Sequence, residues 1–354
     1  MRVLISDSTS YKSIVIAKYI KTHYKSVKVY TCSNIKITSK IHTKYSDGHF
    51  LISALSYKDE SYLDRLVDLV EKLQIDVYIP VNSVEMDILI KKKERLGKTL
   101  SYWGNYEQFI ILNDKNNLCR LAKSINIKMP IDYTTIEQAR IPFVLKPAIS
   151  SSAKGVLYIK KNEELKKLLS AKLDFSQYII QEYIEGKGIG YSVFAVNGKI
   201  STGYGHLRLA EYPVTGGSSV YRDAFIHPEM IKTAEKILDH TKWSGFCMFE
   251  FKITDNSQIY LIEINPRVWG SINQGLQNGV NYFSALFGNT NSSIKNSEIK
   301  TYLSPLVYIS LFMYALKGEW IYLNRFVCNF RKNRADVSIT NDPLGFASML
   351  LKIL

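Results

Sequence analysis

Between Glu250 and Arg267 the chain reads Glu-Phe-Lys-Ile, a polar turn at Thr254–Ser257, and then Tyr-Leu-Ile-Glu-Ile-Asn-Pro-Arg. Alternation of period two on both sides of a short turn predicts a β-hairpin. In such a hairpin Glu250 and Glu263, 13 positions apart, come close on adjacent strands. Two enclosed carboxylates repel, so the fold must either turn both to water or place positive charge between them. The first alternative is an ordinary surface hairpin. The second makes Glu250, Glu263 and Asn265 oxygen donors suited to Mg²⁺, with Mn²⁺ as its substitute, and places Arg267 to meet a charged intermediate.

Residues 1 to about 110 alternate strand and helix patterns. Val3–Ser6, Val27–Thr31 and Val77–Pro80 read as strands, and the stretches near Ser13–Tyr24 and Ser61–Leu73 read as helices, which is the pattern of a parallel sheet with helical crossovers. The turn after the first strand is Ser6-Asp7-Ser8-Thr9-Ser10, without the glycines of a dinucleotide fingerprint. Ligands of open sheets bind beyond the carboxyl ends of strands. Ser8, Asn82 and Glu85 are therefore substrate candidates, the plain alternative for each being turn or capping chemistry.

From Asn113 to Asn126, Asp114 reads as the cap of a helix that turns Leu118, Leu121, Ala122 and Ile125 inward. Lys115 then stands at the positive end of the helix dipole, which implies a compensating anion. Phe143–Pro147 predicts an apolar strand carrying Lys146 near its end, followed by Ser150-Ser151-Ser152-Ala153-Lys154-Gly155 and a second strand, Val156–Ile159. Small residues let backbone N–H groups approach a phosphate, and a lysine adds a point charge. Lys146, Ser151, Ser152 and Gly155 are thus phosphate candidates, against the plain reading of a serine-rich turn.

Tyr178–Ile184 reads as a buried strand running into a linker at Gly186, and Asn197-Gly198 between two alternating runs predicts a type I′ hairpin. Beyond it, His206-Leu207-Arg208 and Gly216-Gly217-Ser218 mix charge and glycine. Arg208 can clamp a carboxylate or phosphate in bidentate fashion, and His206, Gly216 and Gly217 are binding candidates.

The Glu263-x-Asn265-x-Arg267 pattern, the earlier acid Glu250, the loop after Lys146 and the segments His206–Arg208 and Thr215–Ser218 resemble the ATP-grasp superfamily, and within it the carbamoyl-phosphate-synthase-like carboxylate-amine ligases. The resemblance covers most of residues 1 to about 285. It implies an α/β fold of the α+β ATP-grasp type. An N-terminal parallel α/β domain (1–110) would precede a two-lobed ATP-grasp module (111–285; flap lobe about 127–182, catalytic lobe about 183–285) and a helical C-terminal extension (286–354). By the same resemblance Lys115 and Lys146 meet nucleotide phosphate, Gln181, Glu182, Tyr183 and Ile184 read adenine mainly through their backbone, and Glu185 is available to the ribose. Glu250, Glu263 and Asn265 would hold the metal, with Arg267, Lys146 and Arg208 as catalytic charges.

One departure is the lack of an acid shortly after the hinge glycine, where Gly186-Lys187-Gly188-Ile189-Gly190 stands. The implied activity is ATP- and Mg²⁺-dependent joining of a carboxylate to an amine through an acyl phosphate. The alternatives are a regulatory ATP-binding protein without turnover, and a phosphotransferase or carboxylase on the same fold.

With 354 residues, 46% hydrophobic and 22% charged, the composition fits two or three globular domains and excludes disordered, collagen-like and coiled-coil classes. The formal charge of +14 favours anionic ligands, while basic runs such as Lys91-Lys92-Lys93 are too short for a nucleic-acid arm, so no nucleic acid is expected. Cys32, Cys119, Cys247 and Cys328 form no Cys-x-x-Cys pair, which argues against a zinc site or disulfide framework and for the cytoplasm, as does the lack of an export-signal pattern in residues 1–30. Leu303–Leu316 is apolar but shorter than a bilayer span. It reads either as a core helix or as a docking segment for a membrane-associated partner, with Arg325, Arg331, Lys332 and Arg334 beside it. The expected partners are small-molecule carboxylate and amine substrates, with a homodimer left open.

Overall fold

In the computed structural model, which describes residues 1–54, 56–150, 154–170, 174–214, 216–288 and 298–353, the amino-terminal alternation forms a parallel sheet. Its strands β1 (Arg2–Ile5), β2 (Lys28–Ser33), β3 (Gly48–Leu51) and β4 (Val77–Ile79) lie in the order β3-β2-β1-β4. Val3, Leu4 and Ile5 of β1 and Tyr78 and Ile79 of β4 are fully buried, as expected for parallel strands covered on both faces. The helices Tyr11–His23 and Glu60–Leu73 provide crossovers, the second capped by the Asp59 side chain accepting from Ser61 N–H. β3 is absent from the sequence expectation, because Gly-His-Phe-Leu at a half-exposed edge carries neither an apolar run nor clean alternation.

Asp114 caps the helix Lys115–Ser124 as its position predicts, accepting from the N–H groups of Asn116 and Asn117. The next strands, β5 (Asp132–Tyr133), β6 (Phe143–Pro147), β7 (Leu157–Ile159) and β8 (Tyr178–Glu182), form an antiparallel sheet in the order β5-β8-β6-β7. This lobe has a small core of its own, built on Ile136, Phe143, Leu145, Ile159, Leu168 and Ile180.

The largest sheet holds β9 (Lys187–Val196), β10 (Lys199–Tyr212), β11 (Ser218–Ala224), β12 (Gly245–Ile253), β13 (Ile259–Asn265), β14 (Lys300–Tyr302) and β15 (Asn333–Ala335), in the order β13-β12-β9-β10-β11-β14-β15. β9 and β10 are joined at Asn197 and Gly198, with φ of 45° and 77°, the positive values that a type I′ turn requires. One core, running from Val3 through Phe246 and Trp269 to Met349, ties this sheet to the amino-terminal sheet and to the C-terminal helix Pro343–Ile353.

The C-terminal part is mainly helical and also supplies β14 and β15, which extend the large sheet beyond β11. A fully buried ion pair of 2.7 Å between Arg222 on β11 and Asp336 locks this extension in place, with Asn273 donating to the same carboxylate at 3.1 Å. These three-residue strands are too short and polar to announce themselves in sequence. The polar stretch 289–297 lies outside the described residues. Among the described residues no helix is long and apolar enough to cross a membrane.

Candidate active site

The predicted hairpin forms, with Glu250 directly opposite Glu263 and Met248 opposite Asn265 on β12 and β13. The neighbouring strand β9 contributes two glycines where bulk would block the face. A Cβ at Gly190, opposite Glu250, would fall 2.4 Å from the His206 ring, and one at Gly188 would fall 2.8 Å from Arg208 Cδ. Leaving out those side chains lets His206 and Arg208 lie across β9 towards the acids.

Each carboxylate has its own cation. Arg208 forms an ion pair with Glu250 and a longer one, 3.4 Å, with Glu211, while Lys115 stands 3.5 Å from Glu263. Between the acids sits the amide nitrogen of Asn265, donating to Glu250 at 3.0 Å and Glu263 at 3.3 Å. The amide oxygen instead accepts from Arg267 at 2.6 Å. Asn265 therefore presents its nitrogen to the gap, and acting as an oxygen ligand would require its amide to turn and release Arg267.

The two acids differ electrostatically. Burial pushes Glu250 above the usual carboxylate range, and Glu263 adds to this, against the opposing pull of Arg208. Glu263 is held below that range because Lys115, Lys146 and the Asn265 hydrogen bond outweigh burial. Lys146 is itself brought down to about 8 by burial, with Glu263 opposing and Lys115 reinforcing the shift. Burial, Arg208 and Arg222 depress His206 well below its ordinary value, so it is a neutral imidazole rather than a charged clamp or a poised base.

These groups open onto a cavity of about 490 Å³ lined by Lys146, His206, Arg208, Gly216, Gly217, Glu250, Glu263, Asn265 and Arg267, and, from the amino-terminal domain, by Asn82. Lys115 reaches it through Glu263 and through Ser150 Oγ, 3.2 Å away. Seven cationic side chains, Lys12, Lys146, Lys154, Arg208, Lys252, Arg267 and Lys352, face four carboxylates, Asp7, Glu211, Glu250 and Glu263.

Other expected residues lie elsewhere. Ser8 and Glu85 do not line the cavity. Ser8 is fully buried with its N–H bound to Cys32 C=O, and Glu85 is fully buried beneath the hydroxyls of Ser6, Tyr62 and Tyr78. Gly155 turns beside Pro147 at φ 76° behind the cavity wall, where Lys154 and Val156 face inward. Ser151 and Ser152 lie outside the described residues.

The hinge stands behind the cavity rather than in its lining. Gln181 accepts from Lys146 Nζ at 3.1 Å and donates to Cys119 Sγ at 3.3 Å, orienting the lysine. The N–H groups of Glu182 and Tyr183 are bound to the carbonyls of Ile131 and Pro142, so neither is free for an adenine edge. Ile184 is buried and Glu185 exposed.

Sequence reasoning missed Asp7, Lys12, Tyr158, Glu211 and Lys352. Strict alternation puts Arg208 and Glu211 on opposite faces of β10; a bulge between Arg208 and Glu211 brings them together. A Cβ at Gly188 would also come 3.1 Å from the Glu211 carboxylate, so this acid fills space close to where the chain lacks one after the hinge glycine. Lys352 arrives on the C-terminal helix and pairs with Asp7, a contact across the whole chain that no local signal marks. Lys12 donates to Val81 C=O and is depressed to about 7 by burial and by Arg267, with Asp7 opposing.

Comparison with known proteins fits this arrangement. Residues 112–271 match the family model of the ATP-grasp domain. This segment is an ATP-grasp domain. A D-alanine–D-alanine ligase of Fusobacterium nucleatum subsp. nucleatum is 26% identical over 193 residues, 51% of this chain and 62% of that one, so the chain spans less than two thirds of the relative's length. Among solved structures, the biotin carboxylase of Campylobacter jejuni in a β,γ-ATP complex superposes with a TM-score of 0.63 at 15% identity, covering 82% of this chain and 72% of that one. The N5-carboxyaminoimidazole ribonucleotide synthetase of Thermotoga maritima gives 0.61 at 16% identity (84% and 79%). The L-amino acid ligase of Bacillus licheniformis gives 0.60 at 14% (84% and 76%). At these identities the shared property is the fold.

Proposed function

We propose that the protein is an ATP-dependent ligase that activates a carboxylate as its acyl phosphate and transfers the acyl group to an amine. The observation that carries this reading is the in-register Glu250–Glu263 pair in a cavity whose lining has a surplus of positive charge. Such a surplus complements a nucleoside triphosphate together with an anionic co-substrate.

The donor chemistry fits Mg²⁺, and by the same chemistry Mn²⁺. Among the described residues no group of three or more His, Cys, Asp and Glu side chains converges, and Mg²⁺ is commonly held by one or two carboxylates with substrate phosphates completing its shell. Glu250 and Glu263 would hold it, with Asn265 joining once its amide turns. The ion supplies neutralisation of phosphate oxygens when bound.

Lys115 and Lys146 bind nucleotide phosphates from the side of Glu263, and Gln181 keeps Lys146 aimed. The adenosine lies along the Gln181–Glu185 hinge, read by groups other than the two committed N–H donors. Arg208, steered by Glu211, holds anionic substrate or phosphate, and Arg267 stabilises the oxyanion of the second step. In the first step a carboxylate oxygen attacks the γ-phosphorus and the bond to ADP breaks. In the second the amine nitrogen attacks the acyl carbon, phosphate leaves, and the amine gives up a proton. No protein nucleophile is needed.

Resemblance to the carbamoyl-phosphate-synthase-like group points to an amino acid, a peptide or a sugar acid as substrate, in a cytoplasmic protein. Residues 1–110, 111–285 and 286–354 serve as its working segments. Phosphate release from ATP in the presence of pooled carboxylates, with and without pooled amines, tests the reading. Release that requires both pools is the expected result; release that needs the carboxylate alone, with no hydroxamate formed on adding hydroxylamine, would assign a different transfer chemistry.

A further inference from the structure

The helix Leu306–Leu316 is apolar around its whole circumference, yet it buries only one side. Val307, Leu311 and Tyr314 face inward, and Ser310 donates to Glu211 C=O at 2.7 Å. Ile309, Phe312 and Leu316 form a stripe on the other side at helical spacing, with Phe312 64% and Leu316 72% exposed. The stripe continues through a turn at Gly318 (φ 79°) into Trp320, 58% exposed, and Ile321, 62% exposed, at the start of the helix Ile321–Cys328. Val327 and Phe330 are exposed beyond it. The hairpin is itself firmly held: Tyr314 stacks on Tyr322 at 3.9 Å, and Tyr308 meets Phe326 edge to face. Its outward face is thus a fixed apolar surface rather than a frayed end.

The charges within the same stretch are one-sided. Lys317 and Arg325 accompany a single acid, Glu319, within residues 306–330, and Arg331, Lys332 and Arg334 follow directly, Lys332 being paired with Glu298, in a chain of net charge +14. A symmetric contact between two copies would set this cationic rim against itself, because an isologous interface pairs a patch with its own image. An apolar face with Trp and Phe at its tip and lysine and arginine at its edge is complementary to the interface of an anionic bilayer. We propose that the hairpin formed by residues 306–330 docks the protein onto anionic membrane surfaces without crossing them. On the ligase reading above, docking would hold the cavity near the membrane face, since Ser310 of the docking helix donates to the main-chain carbonyl of Glu211, a residue that lines the cavity.

The chain carries its own reporter. Trp103, Trp243 and Trp269 are buried, and Trp320 is exposed, so a change in tryptophan emission on docking reads Trp320. The full chain is mixed with phosphatidylcholine vesicles with or without phosphatidylglycerol, and co-sedimentation and emission wavelength are followed. The expected result is binding to the anionic vesicles with a blue shift, weakened by salt, and at least about tenfold weaker for Phe312→Glu/Leu316→Glu. Absence of binding, or binding unchanged in that variant, overturns the proposal. A blue shift that follows protein concentration without vesicles also overturns it, in favour of a second copy as the occupant. ATP turnover is a separate readout, and loss of the ligase assignment would leave the vesicle result standing.

Discussion

Lys115 and Glu263 form a 3.5 Å ion pair in which the lysine is buried and the carboxylate opens onto the cavity. The lysine sits on the first turn of the helix Lys115–Ser124, where the dipole already favours an anion, and Glu263 is that anion. Because the same ammonium lies 3.2 Å from Ser150, it links the Glu250–Glu263 hairpin to the start of the serine-rich loop after Lys146.

Removing one partner of this pair leaves Glu263 with Lys146 as its main counter-charge. Lys115→Met is expected to lower the unfolding free energy by about 1–3 kcal/mol, below the ~3–5 kcal/mol of a fully buried broken pair, because Glu263 is part-exposed and keeps a partner. Urea unfolding checks this. The Lys115→Met/Glu263→Gln double variant should cost less than the two single losses added together.

Nucleotide binding should depend on pH through Lys146. Its ammonium is charged below about 8 and loses its proton above, so affinity for a non-hydrolysable ATP analogue should fall as pH rises through 8. Titration calorimetry from pH 6.5 to 9.5 measures the trend, and Lys146→Arg, charged throughout, should flatten it.

Glu85 makes an opposite kind of pH statement, about stability. Burial raises its carboxyl from 4.5 to about 7, against the pull of three hydroxyl hydrogen bonds. Between those values the folded state keeps a proton that the unfolded chain has lost, so this group's contribution falls as pH rises across the window. Relative to Glu85→Gln, the wild-type protein should lose about 2–3 kcal/mol of stability between pH 4.5 and 8, read from urea midpoints at several pH values.

The Arg222–Asp336 pair, with both side chains fully buried, holds the C-terminal extension to the large sheet. Asp336→Ala leaves an uncompensated guanidinium and is expected to cost about 3–5 kcal/mol. Differential scanning calorimetry would show this as a markedly lowered Tm.

Much of the fold was legible because its signals are local. The crossovers of the amino-terminal sheet, the Asp114 cap, the Asn197-Gly198 turn and the Glu250–Glu263 register follow from periodicity and turn chemistry over a few residues. What escaped depends on contacts distant in sequence or on irregular backbone. Glu211 joins Arg208 only because β10 bulges, Lys352 reaches Asp7 from the other end of the chain, and Glu85 looked like a loop acid until three hydroxyls enclosed it. The amide of Asn265 was legible as a member of the site, but not the direction in which it points.

The most direct test of the central claim is ADP release from Mg-ATP by the purified protein with pooled carboxylates and amines, compared with Glu263→Gln and Arg267→Ala. In the proposed mechanism each change removes a charge that would face the reacting phosphate or acyl group, so turnover should drop by about 10² to 10³ while the fold, followed by circular dichroism, is retained. Turnover at the wild-type rate in both variants would contradict the assignment of the Glu250–Glu263 hairpin as the catalytic centre.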